Sequence, residues 1–234
     1  MPPLWRGRAE CGLPDLVLRV MVERYTTIAR AVQAEIEAKR SRFLCDLVPV
    51  ASEDEARAVV ERARKEHWDA RHHCSAFVLG PAADIRRSND DGEPSGTAGT
   101  PMLDVLTGAD LTDVVAVVTR WFGGTLLGTG GLVRAYSDAV RAALDEARLV
   151  HYERQVRLTC QVTLADVGRV ENALRAAGFV VADVDYATHA AAGRAGLEVA
   201  APSDALGRAH AALAELTSGE AAFERVGQTW AAKG

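Results

Sequence analysis

The sequence predicts a two-domain α+β protein, and three observations carry that expectation. Its 234 residues exceed the commonest size of a single domain. Hydrophobic residues make up 48% and charged residues 25%, a balance able to bury a substantial core. Strand-like and helix-like segments are interleaved, and the second half runs β-α-β-β-α-β, the order of the ferredoxin-like split motif.

The elements follow from the residues in turn. Met1–Val22 mixes Arg6, Arg8, Glu10, Asp15 and Arg19 among apolar residues, so a signal peptide is not expected. Residues 1–22 read instead as a poorly ordered extension, or as a start called too early with Met21 as the true one. Tyr25–Val50 alternates and is rich in Thr, Ile, Val and Phe, which gives one or two strands. Ser52 followed by Glu55 signals a capping box. Behind it Ala56, Val59, Val60, Ala63 and His67 share a helical face that ends near Trp68. His73–Gly80 is a short apolar strand. Pro81–Gly99 has no hydrophobic period and reads as a long loop. Thr100 and Pro101 then resemble a cap and a first helical position, with Met102, Leu103 and Leu106 as the buried side.

Val114–Val118 is the unbroken Val-rich run of a strand covered on both faces. The glycine-rich Phe122–Gly131 opens an amphipathic helix whose stripe is Leu132, Tyr136, Val140, Ala143 and Leu144. A domain boundary is expected near 149–153, between units at 23–149 and 153–234. In the second unit Arg154–Leu164 is a strand and Asp166–Ala177 a helix stopped by Gly178. Two strands follow around a Gly193–Gly196 hairpin, then a helix over Ser203–Thr217 and a last strand over Ala221–Trp230.

Composition excludes several classes. No run approaches the roughly 18 apolar residues of a membrane span. Cys11, Cys45, Cys74 and Cys160 are scattered without a C-x-x-C pair, which offers neither a zinc site nor a disulfide framework and fits a reducing cytoplasm. The formal charge is −5, and neither residues 24–148 nor residues 149–234 carry an excess of Lys and Arg. Binding to nucleic acid would depend on a local basic face, not on bulk attraction, and DNA is not an expected partner.

Two segments carry the candidate chemistry. Ser88–Gly99 holds Asp90, Asp91 and Glu93 with Ser95 and Thr97 nearby. Three carboxylates within four positions suit a hard cation such as Mg²⁺, with Asp91 and Glu93 as ligands. They equally suit hydrogen bonds to a partner, or an Asx-rich turn that caps its own backbone. Thr119–Tyr136 holds Arg120, Gly123, Gly124, Gly130, Gly131 and Arg134. Glycines at a helix start admit an anion to free N–H groups, and two arginines add phosphate contacts; tight strand-to-helix packing explains the same glycines. The segment is no P-loop, since Gly-Lys-Ser/Thr is absent, and Val133 breaks the dinucleotide pattern. Ser95 lacks the G-x-S-x-G elbow of a nucleophile. His72 and His73 point to opposite faces of a strand and cannot chelate one ion together; His72 is the one placed beside the acidic loop. Trp121 and Phe122 are candidates for base stacking or for core.

Asp90–Gly99, followed by Val117–Gly124 and then Gly128–Tyr136, resembles the signature of the Impact/YigZ family. Ser41-Arg42-Phe43 and Ala70–Cys74 fit it as well, so the similarity runs from about Tyr25 to Leu144. The resemblance implies an N-terminal domain folded like the second domain of a small-subunit ribosomal protein, and a C-terminal domain like one in the ribosomal translocase. It also implies an association with translation, through the ribosome, RNA or a translation factor. The chain departs from the family at Leu126, where Lys is usual, at His73, where Asn is usual, and at Arg71, where Thr is usual. Leu126 weakens a phosphate-binding reading of the glycine loop. The resulting expectation is a non-enzymatic binding module with no catalytic residues and no required cofactor. The alternative is an Mg²⁺-dependent enzyme or phosphate binder using the same two loops.

Overall fold

The structure, a computed structural model, describes residues 22–233. The expectation for residues 1–22 lies, apart from Val22, outside them. Two antiparallel sheets organise the chain. The first contains β2 (Val32–Ala38), β3 (Ser41–Pro49), β4 (His72–Leu79), β5 (Ile85–Asn89) and β6 (Val114–Trp121), in the order β2-β3-β6-β4-β5. The second contains β1 (Arg24–Ile28), β7 (Leu149–Thr163), β8 (Val180–Asp185), β9 (Arg194–Pro202) and β10 (Glu224–Ala232).

Helix α1 (Glu53–Glu66) covers one face of the first sheet, and α2 (Gly99–Gly108) and α3 (Thr129–Asp145) cover the other. Strand alternation decides which residue faces which layer. On β6, Val115 and Val117 join Val59, Ala63 and Phe77 under α1. Val114, Ala116 and Val118 join Phe43, Met102, Leu106 and Tyr136 under α2 and α3. A strand covered on both sides needs no polar alternation, hence its Val run. Ser52 caps α1 by accepting the Glu55 N–H at 3.2 Å, and the Glu55 carboxylate accepts the Ala51 N–H at 2.7 Å. Two orphan amides are thereby satisfied.

In the second sheet β10-β7-β9-β8 is the ferredoxin-like strand order, with α4 (Val167–Ala176) and α5 (Leu206–Leu216) on one face. Gly178 follows α4 with φ +86°, the left-handed position that glycine tolerates. Residues 149–153, where the sequence places a boundary, are the first five of β7. They pair with β1, so the earliest described strand hydrogen-bonds into the sheet of the second half. Tyr25 stacks on Tyr152 at 5.0 Å and meets Trp230 edge-on at 4.8 Å. Burial, with Asp113 and Tyr152 nearby, pushes the Tyr25 hydroxyl up to about 12. The same strand holds the first body: Thr26 O accepts the Thr112 N–H at 2.9 Å, and Ile28 sits in the first core.

Three local expectations need correction. Tyr25–Val50 contains three strands, because Lys39 and Arg40 (φ +48° and +67°) turn β2 tightly into β3. Pro81–Gly99 is not wholly loop; it contains β5, a sheet-edge strand whose Arg86, Arg87, Ser88 and Asn89 are exposed and so show no apolar period. Helix α2 starts at Gly99, before the expected Thr100 cap, and Ala98 at its N-cap offers no side-chain hydrogen bond. Its cap comes from Asp90 instead. Cys45, Cys74 and Cys160 are buried free thiols, and among the described residues no helix is long and apolar enough to cross a membrane.

Candidate functional site

One end of the first sheet gathers the end of β6, the start of β4, the β2–β3 turn, the end of α1 and the start of α3. His72 pairs with Arg120 across β4 and β6, and Phe43 with Arg120 across β3 and β6. The acidic loop closes over this end, and each of its three carboxylates has a distinct set of partners.

Asp90 Oδ1 accepts the N–H groups of Ala98 and Gly99 at 3.0 and 2.8 Å, and Oδ2 that of Gly96 at 2.8 Å. Partial burial works against its charge, but the amides of Gly96, Gly99 and Ala98 outweigh it and hold the carboxyl below its ordinary range. Gly99 is held close: a Cβ there would lie 2.8 Å from the Asn89 N. Asp91, at φ +43°, binds the Arg64 guanidinium at 2.7 Å and accepts the His73 N–H at 2.7 Å. Its carbonyl accepts a hydrogen bond from His72 Nδ1 at 2.9 Å. Glu93 is buried, and one of its oxygens accepts from Arg120 Nη1 at 2.6 Å and from the Tyr136 hydroxyl at 2.8 Å. Beneath them the Cys74 thiol lies 3.3 Å from the Tyr136 oxygen. Burial raises the pKa of both Cys74 and Tyr136, so neither is an activated nucleophile.

The two motifs therefore meet through Glu93, which joins the acidic loop to Arg120 before the glycine segment and to Tyr136 after it. This junction is internal. Asp91 and Glu93 face separate cationic partners, which does not fit a shared Mg²⁺ position. Among the described residues no group of three His, Cys, Asp or Glu side chains is disposed around a metal. Thr97 donates its hydroxyl proton to Pro94 O at 2.6 Å inside the loop, and Ser95 is exposed. Arg134 is exposed on α3 and has no ion-pair partner among the described residues.

The glycines divide by geometry. Gly123 lies against the β2–β3 turn, where a Cβ would sit 1.9 Å from Arg40 O; its N–H donates to Ser41 Oγ at 3.2 Å. Gly124 and Gly128 need positive φ, +83° and +72°. Gly131 packs on Leu127, 3.0 Å from the place of a Cβ. Gly130 has open space and a helical backbone, so packing does not require it.

Outside the junction the end of the domain is cationic and partly apolar. Lys39, Arg40, Arg71 and Arg134 are exposed, and none forms an ion pair among the described residues. Arg42 lies 4.0 Å over the Trp121 ring, and Trp121 donates its Nε1 proton to Asp69 at 2.9 Å. Phe122 is 55% exposed, Trp68 82% and Leu126 82%. Sequence reasoning named Arg134 and Arg120 but missed Lys39 and Arg40. The signal for them was a charged dipeptide between two alternating runs, a hairpin tip.

Comparison with known proteins gives this geometry a family. Residues 39–144 match the Impact N-terminal domain, and residues 160–220 match a domain of unknown function (DUF1949). The Escherichia coli protein described as IMPACT family member YigZ is 36% identical over 200 residues, covering 85% of this chain and 96% of that one. The chain belongs to the IMPACT family. Within it, IMPACT family member YvyE of Bacillus subtilis is 42% identical over 166 residues, 71% of this chain and 76% of that one. The Protein IMPACT homolog of Saccharomyces cerevisiae is 34% identical over 119 residues, 47% of this chain and 45% of that protein. A solved crystal structure of a hypothetical protein superposes with a TM-score of 0.62 at 35% identity, over 87% of this chain and 98% of that one. The IMPACT segment thus spans the acidic loop, β6 and the start of α3 in one unit.

Proposed function

We propose that this IMPACT-family protein is a non-enzymatic binding module that takes single-stranded RNA of the translation apparatus at the cationic end of its first sheet. The observation that carries the reading is the division of charge there. Asp90, Asp91 and Glu93 are turned onto the chain's own donors, while Lys39, Arg40, Arg71 and Arg134 face solvent unpaired among the described residues. A local cationic surface on a chain of net charge −5 concentrates binding at one place. Exposed Phe122 and Trp68 offer ring faces on which unpaired bases stack, a contact indifferent to base identity. Catalysis is disfavoured because Asp90, Asp91 and Glu93 are each taken up by donors of the fold and the thiol has its pKa raised.

Co-sedimentation with ribosomes at low and moderate salt tests the reading. Wild-type protein is expected in the pellet at low salt, and Lys39→Glu/Arg40→Glu protein in the supernatant. Absence of wild-type protein from the pellet at both salts counts against it.

A further inference from the structure

A second surface lies on the α1 face of the first sheet and is independent of the RNA reading. Helix α1 covers β4 and β6 and stops short of β5. Between helix and strand lies a groove of about 470 Å³. Its apolar part is Val60 and Phe77, and Arg57, Arg64 and Arg87 reach into it from both walls. Arg87 pairs across the strands with Phe77, which places its side chain on the groove side. Strand β5 is the sheet edge: β4 occupies one side and, among the described residues, no strand the other. Over five residues, about 17 Å at 3.4 Å per residue, alternate N–H and C=O groups point to its outer side, where no strand pairs among the described residues.

We propose that this groove binds an extended acidic peptide segment of a partner protein, which adds to β5 as a sixth strand of the sheet. Backbone pairing supplies the affinity, and alternate side chains reach the groove. The groove acids Glu53 and Glu61 are already held by Arg57 and Arg64 at 3.0 and 2.7 Å. Among the described residues Arg87 makes one hydrogen bond, to the Arg86 carbonyl at 3.0 Å, and no ion pair, so an incoming carboxylate meets an unmatched guanidinium. Two other occupants fit poorly. Pairing β5 with β5 of a second copy sets Arg87 directly opposite itself when the strands align about their centre, and like charges opposite destabilise a ladder. A nucleic-acid backbone presents chiefly phosphate acceptors and lacks the regular row of N–H donors that a strand offers the edge carbonyls.

The test is amide-resolved NMR titration of the full chain with three probes: an extended peptide of alternating Glu and Val, its Lys-for-Glu counterpart, and the Glu peptide N-methylated at alternate residues. The acidic peptide is expected to shift the amides of residues 85–89 and of Phe77. Arg87→Glu, at an exposed edge-strand position whose side chain hydrogen-bonds to its own strand, is expected to weaken binding about tenfold while the melting temperature stays unchanged. The N-methylated peptide is expected to lose binding. The proposal is overturned if the acidic peptide leaves residues 85–89 unmoved, if the Lys peptide binds equally, or if N-methylation has no effect. Shifts of the same amides by a short single-stranded RNA, or with protein concentration alone, overturn it in favour of those occupants.

Discussion

The Glu93 carboxylate lies 2.6 Å from the Arg120 guanidinium, and both side chains are more than nine-tenths buried. This pair pins the acidic loop to the end of β6, and through the Tyr136 hydroxyl to α3. Breaking a buried pair leaves the other charge uncompensated, which costs about 3–5 kcal/mol. Glu93→Ala is expected to lose stability of that size in urea denaturation. Glu93→Ala/Arg120→Met is expected to lose less than the sum of the two single changes, since the partners share one interaction.

Asp90 is the cap of α2. Asp90→Ala removes three hydrogen bonds at once and is expected to cost about 2–4 kcal/mol. Its folded pKa is lowered, so the stabilisation is fully present above the unfolded value of about 3.9 and is lost as pH falls through the folded value. Acid titration of wild type against Asp90→Ala followed by circular dichroism checks this: the stability gap between them narrows only below about pH 4.

Gly123 and Gly130 separate packing from access. Gly123→Ala drives a methyl into the Arg40 carbonyl and is expected to destabilise by about 3 kcal/mol or more. Gly130→Ala meets nothing within 4 Å and is expected to stabilise by up to about 1 kcal/mol. Thermal melts of both variants decide it. A stable Gly130→Ala protein that binds RNA less well assigns that glycine to the ligand.

His73 is buried, and burial lowers its pKa despite its bond to the His67 carbonyl and the proximity of Asp91. The unfolded chain then binds the proton more readily. Stability is complete above about pH 6.5 and falls as pH drops from there toward the folded value. His73→Asn is expected to remove that slope between pH 7 and 5, with stability read from urea midpoints.

Much of the fold was legible because it is written in local periodicity. The α1 capping box, the Val run of β6 and the ferredoxin-like order need only neighbouring residues. Strand β5 was not legible, since an exposed edge strand of Arg, Ser and Asn buries only part of one residue, Ile85. The pairing of β1 with β7 was hidden as well, because it joins Arg24 to Glu153 across most of the chain. At the candidate site, the sequence singled out two segments that meet through Glu93 in the structure, and left the direction of the acids open. Nothing in the spacing of Glu93 and Arg120 tells a buried pair from two ligands on an open wall. The start of α2 was misplaced for a similar reason: its cap sits nine residues before Gly99.

The division of inward acids and outward cations is tested most directly by fluorescence anisotropy of a short single-stranded RNA across a salt series. With three to four cations engaged, the log–log slope is expected near −2 to −3. Lys39→Glu/Arg40→Glu is expected to flatten that slope and abolish most of the binding, while Asp90, Asp91 and Glu93 stay bonded within the fold. No binding by the wild-type protein at low salt, or binding that this variant leaves unchanged, would contradict it.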